Sequence, residues 1–177
     1  VKNVITVKGM RKAIAEHMQR SLAVSAQLTA IGEIEMSQLI ALRNAISGKS
    51  ADTGSRVSFT DLIVFVLSRA LKGSPTVNSS LIGNEIKVWD SINIGVAVAL
   101  DDGLIVPVVK NADAKSLAEI SQSVRDLALK AREGKLAPDE VTGGTFTLTN
   151  LGAAGAGWRF ETAIINQRFA FMHFGTE

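Results

Sequence analysis

Ile92–Leu100 (INIGVAVAL) constrains the fold of this chain more than any other stretch. It is apolar throughout, with little alternation except at Asn93 and Gly95. A strand wetted on one side alternates apolar and polar residues, whereas a strand covered on both faces does not. The run therefore predicts a strand buried on both faces, with further layers of structure above and below it. Asp101-Asp102-Gly103 follows as a turn, and Leu104–Lys110 reads as the returning strand. Glu85–Trp89 reads as another strand just upstream.

The covering layers are legible as helices. Leu117, Ile120, Val124, Leu127 and Ala131 form one stripe of a helix from Leu117 to about Arg132. Ser116 with Glu119 makes its capping box, and Gly134 suits its C-terminal end. A second helix is expected from about Thr60 to Lys72, opened by Ser58 and Asp61 and ended by Gly73-Ser74-Pro75. Its broad apolar face (Leu62, Ile63, Phe65, Val66, Leu67) predicts deep burial. Met10, Ile14, Met18 and Leu22 recur at helical spacing near the start of the chain. Gln27–Met36 alternates and reads as a strand; Ser37 suits the N-cap of a helix to about Ile46, and a polar loop follows, Gly48–Arg56. Gly144–Asn150 (GTFTLTN) and Phe169–Phe174 read as the last strands. Between them lie a glycine- and alanine-rich turn, Gly152–Gly157, and Trp158–Asn166. No repeat or linker divides the chain. The expected fold is one α+β domain, a mixed β-sheet flanked by helices.

Composition narrows what such a domain does. A chain of 177 residues can bury ~70% of its unfolded surface. Hydrophobic residues reach 46% although 20% are charged. No apolar run approaches the ~20 residues of a membrane span, so the excess predicts burial between subunits and an oligomer, with no membrane partner. The net charge of +2 is scattered without a basic run, aromatic residues are 5% and tyrosine is absent. That argues against nucleic acid, while an anionic cofactor stays compatible. Absent cysteines exclude disulfides, thiolate zinc sites and cysteine nucleophiles, and no other metal spacing is present. No signal core is seen, so a cytoplasmic protein is expected. A start at Val1 suggests an excised domain.

Three stretches, in order, resemble the catalytic domain of the dihydrolipoyl acyltransferases of 2-oxo acid dehydrogenase complexes. They are GMRKAIAEHMQRS (Gly9–Ser21), GVAVALDDGLIVPVVKNADAKSLAEI with KAREGKL (within Ile94–Leu136), and GGTFTLTNLG (Gly143–Gly152) followed by AIIN (Ala163–Asn166). The resemblance covers nearly the whole chain, residues 1–177 being read as this domain without the family's C-terminal segment. It implies a chloramphenicol acetyltransferase-like fold assembled as a homotrimer or larger core. It also implies coenzyme A and a dihydrolipoyl arm as substrates meeting in a channel between subunits, with no metal. The implied partners are a lipoyl domain, a 2-oxo acid decarboxylase and a dihydrolipoyl dehydrogenase; a eukaryotic member would reside in the mitochondrial matrix.

Thioester exchange needs a base, because a thiol with pKa near 8.5 is mostly protonated at neutral pH. It also needs a donor aimed at the developing oxyanion. The family's serine or threonine for the second task matches Thr149. Read alone, Thr149 is one of three alternating threonines in a good strand former. Arg11 matches a region near the coenzyme A entrance, which implies a phosphate contact; read alone it is an exposed helix-face charge. Asp101, Asp102 and Gly103 border the family's channel but read as a turn, and Asn150 and Asn166 either hold backbone near the site or cap strand ends. The family's base lies in a His-Arg-x-x-x-Asp-Gly segment beyond AIIN, and no such segment occurs here. His17 reads as a surface position and His173 as a structural histidine in an apolar strand; neither matches the base. The chain as written is therefore expected to show little or no transferase activity. A non-catalytic assembly module of the same fold, and a relative acting on another acyl acceptor, are the alternatives.

Overall fold

The computed structural model describes residues 1–30, 32, 34–49, 57–101, 103–150 and 170–174. Four helices occur among them: α1 (Gly9–Val24), α2 (Ser37–Lys49), α3 (Phe59–Gly73) and α4 (Leu117–Arg132). The strands are β1 (Ser79–Ile82), β2 (Glu85–Val88), β3 (Ile94–Val96), β4 (Val98–Leu100), β5 (Gly103–Ile105), β6 (Val108–Val109), β7 (Phe146–Asn150) and β8 (Ala170–Phe174).

The central sheet runs β6-β3-β7-β8. β3 is antiparallel to β6 but parallel to β7, and β7 is parallel to β8, so the sheet is mixed as expected. The helices α3 and α4 cover one face. Val64, Leu67 and Leu71 of α3 and Ile120 and Leu127 of α4 meet Ile94 and Val96 of β3 and Phe146 and Leu148 of β7 in one buried cluster. This is the cover that the apolar run around Ile94 demands.

That run is not one strand. It changes sheets at Ala97: β3 belongs to the central sheet, while β4 pairs with β5 in a separate hairpin whose register joins Leu100 to Gly103. The returning segment breaks at the same level, at Val106-Pro107, between β5 and β6. Pro107 has no N–H to give a ladder, but its carbonyl accepts from Val96 N at 2.9 Å, and Ala97 N donates to Leu148 O at 3.0 Å. The chain thus hands its hydrogen bonds from one sheet to the other at these residues.

Gly95 sits close to this bend, where neighbouring segments crowd it. A Cβ there would lie 2.8 Å from Val106 Cγ1 and 3.4 Å from Thr147 Oγ1. Val106 is short and branched and cannot swing aside. Gly95→Ala should therefore destabilise the fold by about 1–3 kcal/mol, the usual cost of overpacking; an unchanged urea midpoint would show that the two strands have room to part.

Both capping boxes form. Ser58 Oγ accepts from Asp61 N at 3.1 Å while Asp61 Oδ2 accepts from Ser58 N at 2.7 Å. Glu119 and Ser116 repeat the arrangement on α4. The Ser116 hydroxyl and N–H hold the Glu119 carboxyl below its ordinary value of 4.5. This cap is complete above that value and weakens as the pH falls through the lowered one. Gly134 follows α4 with φ +67°, the left-handed conformation that ends a helix. Arg69 of α3 ties down the 3-10 turn Ala112–Ala114, donating to Ala112 O at 3.0 Å and Lys115 O at 2.6 Å while its guanidinium stacks on Phe65.

Other expectations also need correction. None of the described residues in 27–36 forms a strand, and Leu28 is 95% exposed and Ile34 67%. Alternation supplies a face, but a strand also needs a neighbour for its N–H and C=O groups, and none of the described strands pairs with this segment. The helix α2 runs to Lys49, past the expected end at Ile46, with Ser37 as its first residue and Ser37 N donating to Glu35 Oε1 at 2.9 Å. The strand β1 has no counterpart among the expected elements: Ser79 and Ser80 mask its pattern, and it exists by pairing with β2. The expected turn at Gly152–Gly157 and the segment Trp158–Asn166 lie outside the described residues, as do Asp102 and most of the loop Gly48–Arg56.

Candidate active site

The strand β7 presents two rows of side chains, as any strand must. Phe146 and Leu148 point to the helices and belong to the core. Thr145, Thr147 and Thr149 form the other row, and all three are buried. Thr145 uses its hydroxyl in strand construction. Its Oγ1 accepts from Asn93 N at 3.0 Å, and Thr145 N donates to Asn93 O at 2.7 Å. Asn93 extends the tie, its Nδ2 donating to Gly143 O at 2.8 Å and its Oδ1 accepting from Asn111 N at 2.8 Å. The lower ends of β3, β6 and β7 are thereby locked in one register.

Thr149 is different. It is 6% exposed, and its Oγ1 is buried without a hydrogen-bond partner among the described residues. A hydroxyl left so costs about 1–3 kcal/mol. Native folds keep few such groups, and a retained one calls for a reason outside the packing. The register of β7 and β8 sets Thr149 beside His173.

Asn150 closes the strand on the helix-facing row. Its Nδ2 donates to Thr60 Oγ1, in the first turn of α3, at 3.0 Å. Just beyond, Asp61 is 2% exposed, and its Oδ2 accepts from Ser121 Oγ of α4 at 2.9 Å as well as from Ser58 N. The end of β7 and the start of α3 are thus joined by one polar assembly on the helix-facing side of the strand, and the Thr149 hydroxyl lies on the opposite face. The sequence singles out Thr149 and marks Asn150 as a holder of backbone or a strand cap. It gives no sign of Thr60, whose partner is 90 positions away and leaves no local signal.

The other candidates are not drawn in. Arg11 is exposed on α1, and no described hydrogen bond joins it to the end of β7. Its neighbours Met10 and Ile14 are the side chains that a Cβ at Gly103 would meet, at 2.8 and 3.2 Å, so α1 lies against the β4–β5 hairpin. Asp101 is exposed at that hairpin's tip, and His17 is exposed on α1. Asn166 lies outside the described residues. Clefts open elsewhere on the described surface. One of about 680 Å³ is lined by Lys72, Asn78, Trp89, Asp90, Asn111 and Asp113 among others, and one of about 290 Å³ lies around Lys110, Asp126, Lys130 and Glu140. Thr149 and Arg11 line neither of them.

Among the described residues no group of three histidines or carboxylates could hold a metal ion. No described helix is long and apolar enough to cross a membrane.

Known proteins share this architecture and its wording. Residues 1–173 match the family described as 2-oxoacid dehydrogenases acyltransferase (catalytic domain). The chain is similar to the dihydrolipoyllysine-residue acetyltransferase component of the pyruvate dehydrogenase complex of Bacillus subtilis, with 40% identity over 171 residues. That alignment takes in 96% of this chain and 38% of the relative. It is as similar, at 40% over 153 residues, to the lipoamide acyltransferase component of the branched-chain alpha-keto acid dehydrogenase complex of the same organism, covering 86% of this chain and 36% of that one. The chain therefore spans well under half the length of these relatives. Its fold is that of a crystallised probable dihydrolipoamide acetyltransferase from Listeria monocytogenes, with a TM-score of 0.88 and 34% identity over 97% of this chain and 74% of that one. The mixed sheet flanked by helices is accordingly the chloramphenicol acetyltransferase-like fold expected from the sequence, and the chain belongs to the 2-oxoacid dehydrogenase acyltransferase family, through its catalytic domain.

Proposed function

We propose that this chain, residues 1–177 of an acyltransferase catalytic domain, contributes the oxyanion donor to a protein that moves an acyl group between the dihydrolipoyl arm of a 2-oxo acid dehydrogenase complex and coenzyme A. The observation that carries the reading is the buried hydroxyl of Thr149, which has no hydrogen-bond partner among the described residues, at the end of the strand that carries the family's GGTFTLTN wording.

The chemistry is an exchange of thioesters. The sulfur of the attacking thiol bonds to the acyl carbon as its proton passes to a base, and the carbonyl oxygen becomes an oxyanion. Collapse of that intermediate expels the second sulfur as a thiolate, which takes up the proton. Charge develops on oxygen only between these two events. A donor held dry at that point stabilises the intermediate more than the bound thioester, which is the condition for raising kcat. Thr149 is the donor in this reading. Its hydroxyl needs no bond broken before it serves, since nothing described engages it. Arg11, exposed and cationic on α1, is the residue proposed for a coenzyme A phosphate.

The same reading makes the working form a homotrimer or larger core, associated with a lipoyl domain, a 2-oxo acid decarboxylase and a dihydrolipoyl dehydrogenase. Support comes from the apolar surface near the N-terminus. Val1, Val4, Ile5, Leu22, Val24 and Leu28 are all at least 60% exposed in the single chain. In this reading these side chains belong to a subunit interface, the usual role of a large exposed apolar patch.

The test is a transfer assay on the protein expressed from its complete reading frame, with acetyl-, succinyl- and branched acyl-coenzyme A as donors. Transfer to dihydrolipoamide in preference to a chloramphenicol-like acceptor is the expected result. Transfer to the second acceptor alone, or to neither, would reject the proposal.

A further inference from the structure

We infer that Thr60 is a positioning residue, which acts through Asn150 to aim the hydroxyl of Thr149; the inference rests on the role proposed above for Thr149. Four observations lead to it.

The ladder between β3 and β7 runs from Ile94↔Phe146 to Val96↔Leu148, and its last bond is Ala97 N to Leu148 O. Thr149 and Asn150 extend past it on that side. At this point the Asn150 carboxamide reaches Thr60 Oγ1 at 3.0 Å, so a side-chain bond to α3 takes over where the β3 ladder stops.

The anchor itself is fixed. Thr60 lies between Ser58, the N-cap of α3, and Asp61, which is held by Ser58 N at 2.7 Å and by Ser121 Oγ of α4 at 2.9 Å. The first turn of α3 is therefore tied to α4 by a buried carboxylate, and Thr60 cannot drift without breaking it.

Strand geometry carries the constraint across one residue. Asn150 belongs to the helix-facing row and Thr149 to the opposite one, because successive side chains alternate. Fixing the carboxamide of Asn150 fixes the pleat at the end of β7, and so the direction of the Thr149 Cα–Cβ bond. A misplacement on the order of 1 Å costs about a hundredfold in rate when the geometry of a reacting group depends on it.

The fourth is that the Thr149 hydroxyl has no partner among the described residues. No described hydrogen bond orients its hydroxyl directly, so its aim depends on how the backbone beneath it is held.

The test uses the protein expressed from its complete reading frame, with steady-state kinetics of acetyl transfer to dihydrolipoamide. Thr60→Val removes the acceptor of the clamp and keeps the shape. It should lower kcat by about ten- to a hundredfold with KM for both substrates little changed, and Thr60→Ser should restore it. Asn150→Leu should lower kcat at least as far, and the double variant should fall no further than Asn150→Leu alone, because the bond to Thr60 is already lost in it. Full kcat in Thr60→Val, a loss expressed in KM, or single effects that multiply would each overturn the inference. Thr149→Ala measured alongside separates the two ideas. If it loses turnover while Thr60→Val does not, only the clamp falls. If Thr149→Ala keeps full turnover, the role of Thr149 falls and the clamp with it. Hydrogen exchange gives a readout independent of catalysis. The amides of Thr149 and Asn150 should exchange faster in Thr60→Val while those of Phe146 and Thr147 do not, and an unchanged pattern would show that Thr60 holds nothing.

Discussion

Thr149→Ala should lower kcat for acyl transfer by about a hundred- to a thousand-fold, with KM for acetyl-coenzyme A and dihydrolipoamide almost unchanged. Removing one oxyanion donor costs about 3–4 kcal/mol of transition-state stabilisation. A contact made only to the developing charge appears in kcat and not in ground-state binding. The stability of the same variant sharpens the test. An ordinary buried threonine offsets its desolvation with a hydrogen bond, but Thr149 Oγ1 has no described partner. Its removal should leave the thermal midpoint unchanged or slightly raised. Loss of turnover without loss of stability is the outcome a functional hydroxyl requires. Wild-type turnover would reject the role outright. A lowered kcat matched by a lowered midpoint would instead make Thr149 a packing residue.

One position earlier, Leu148→Ala should produce the reverse. Leu148 is fully buried at 0% exposure and packs in the cluster formed by α3, α4, β3 and β7. Truncating such a side chain removes its transfer free energy and leaves a cavity that a sheet fixed by β3 and β8 closes poorly. The expected cost is about 2–5 kcal/mol. Urea unfolding would show it as a lowered midpoint at constant m-value. Below its unfolding transition the variant should retain most of its kcat, because Leu148 faces the helices and Thr149 does not. A loss below about 1 kcal/mol would mean that the site collapses readily. A large drop in kcat of the folded variant would show that the two faces of β7 are not separable.

The contrast between these adjacent residues explains how much of the site is legible in the sequence. The alternation in GTFTLTN is enough to assign Thr149 and Leu148 to opposite faces of a strand. The family wording then singles out one of three threonines. What tells Thr149 from Thr145 physically is that the Thr145 hydroxyl is engaged by Asn93 while that of Thr149 has no described partner. That difference depends on a residue more than fifty positions away, and no local pattern carries it. The same limit hides Thr60. As a threonine in the first turn of a helix it looks like any other capping-region residue, and only the packing of α3 against β7 gives it a partner.

Where the fold departs from the sequence expectation, the cause is also non-local. Residues 27–36 have the alternation of a strand, but alternation cannot supply the neighbouring backbone that makes one. Ile92–Leu100 is covered as its apolar run predicts around Ile94, yet it serves two sheets, and the handover at Ala97 is fixed by Pro107 and Leu148 on other segments.

The sequence by itself determined the helices α3 and α4 with their capping boxes, the burial of β3, the strand that carries Thr149, and the family. Each of these is written in residues a few positions apart or in the wording of a continuous segment. Only the tertiary structure decided the order β6-β3-β7-β8, the bend at Ala97 and the bond from Asn150 to Thr60. Those depend on hydrogen bonds between distant segments, and a backbone group records nothing in its own residue type about which remote partner will satisfy it.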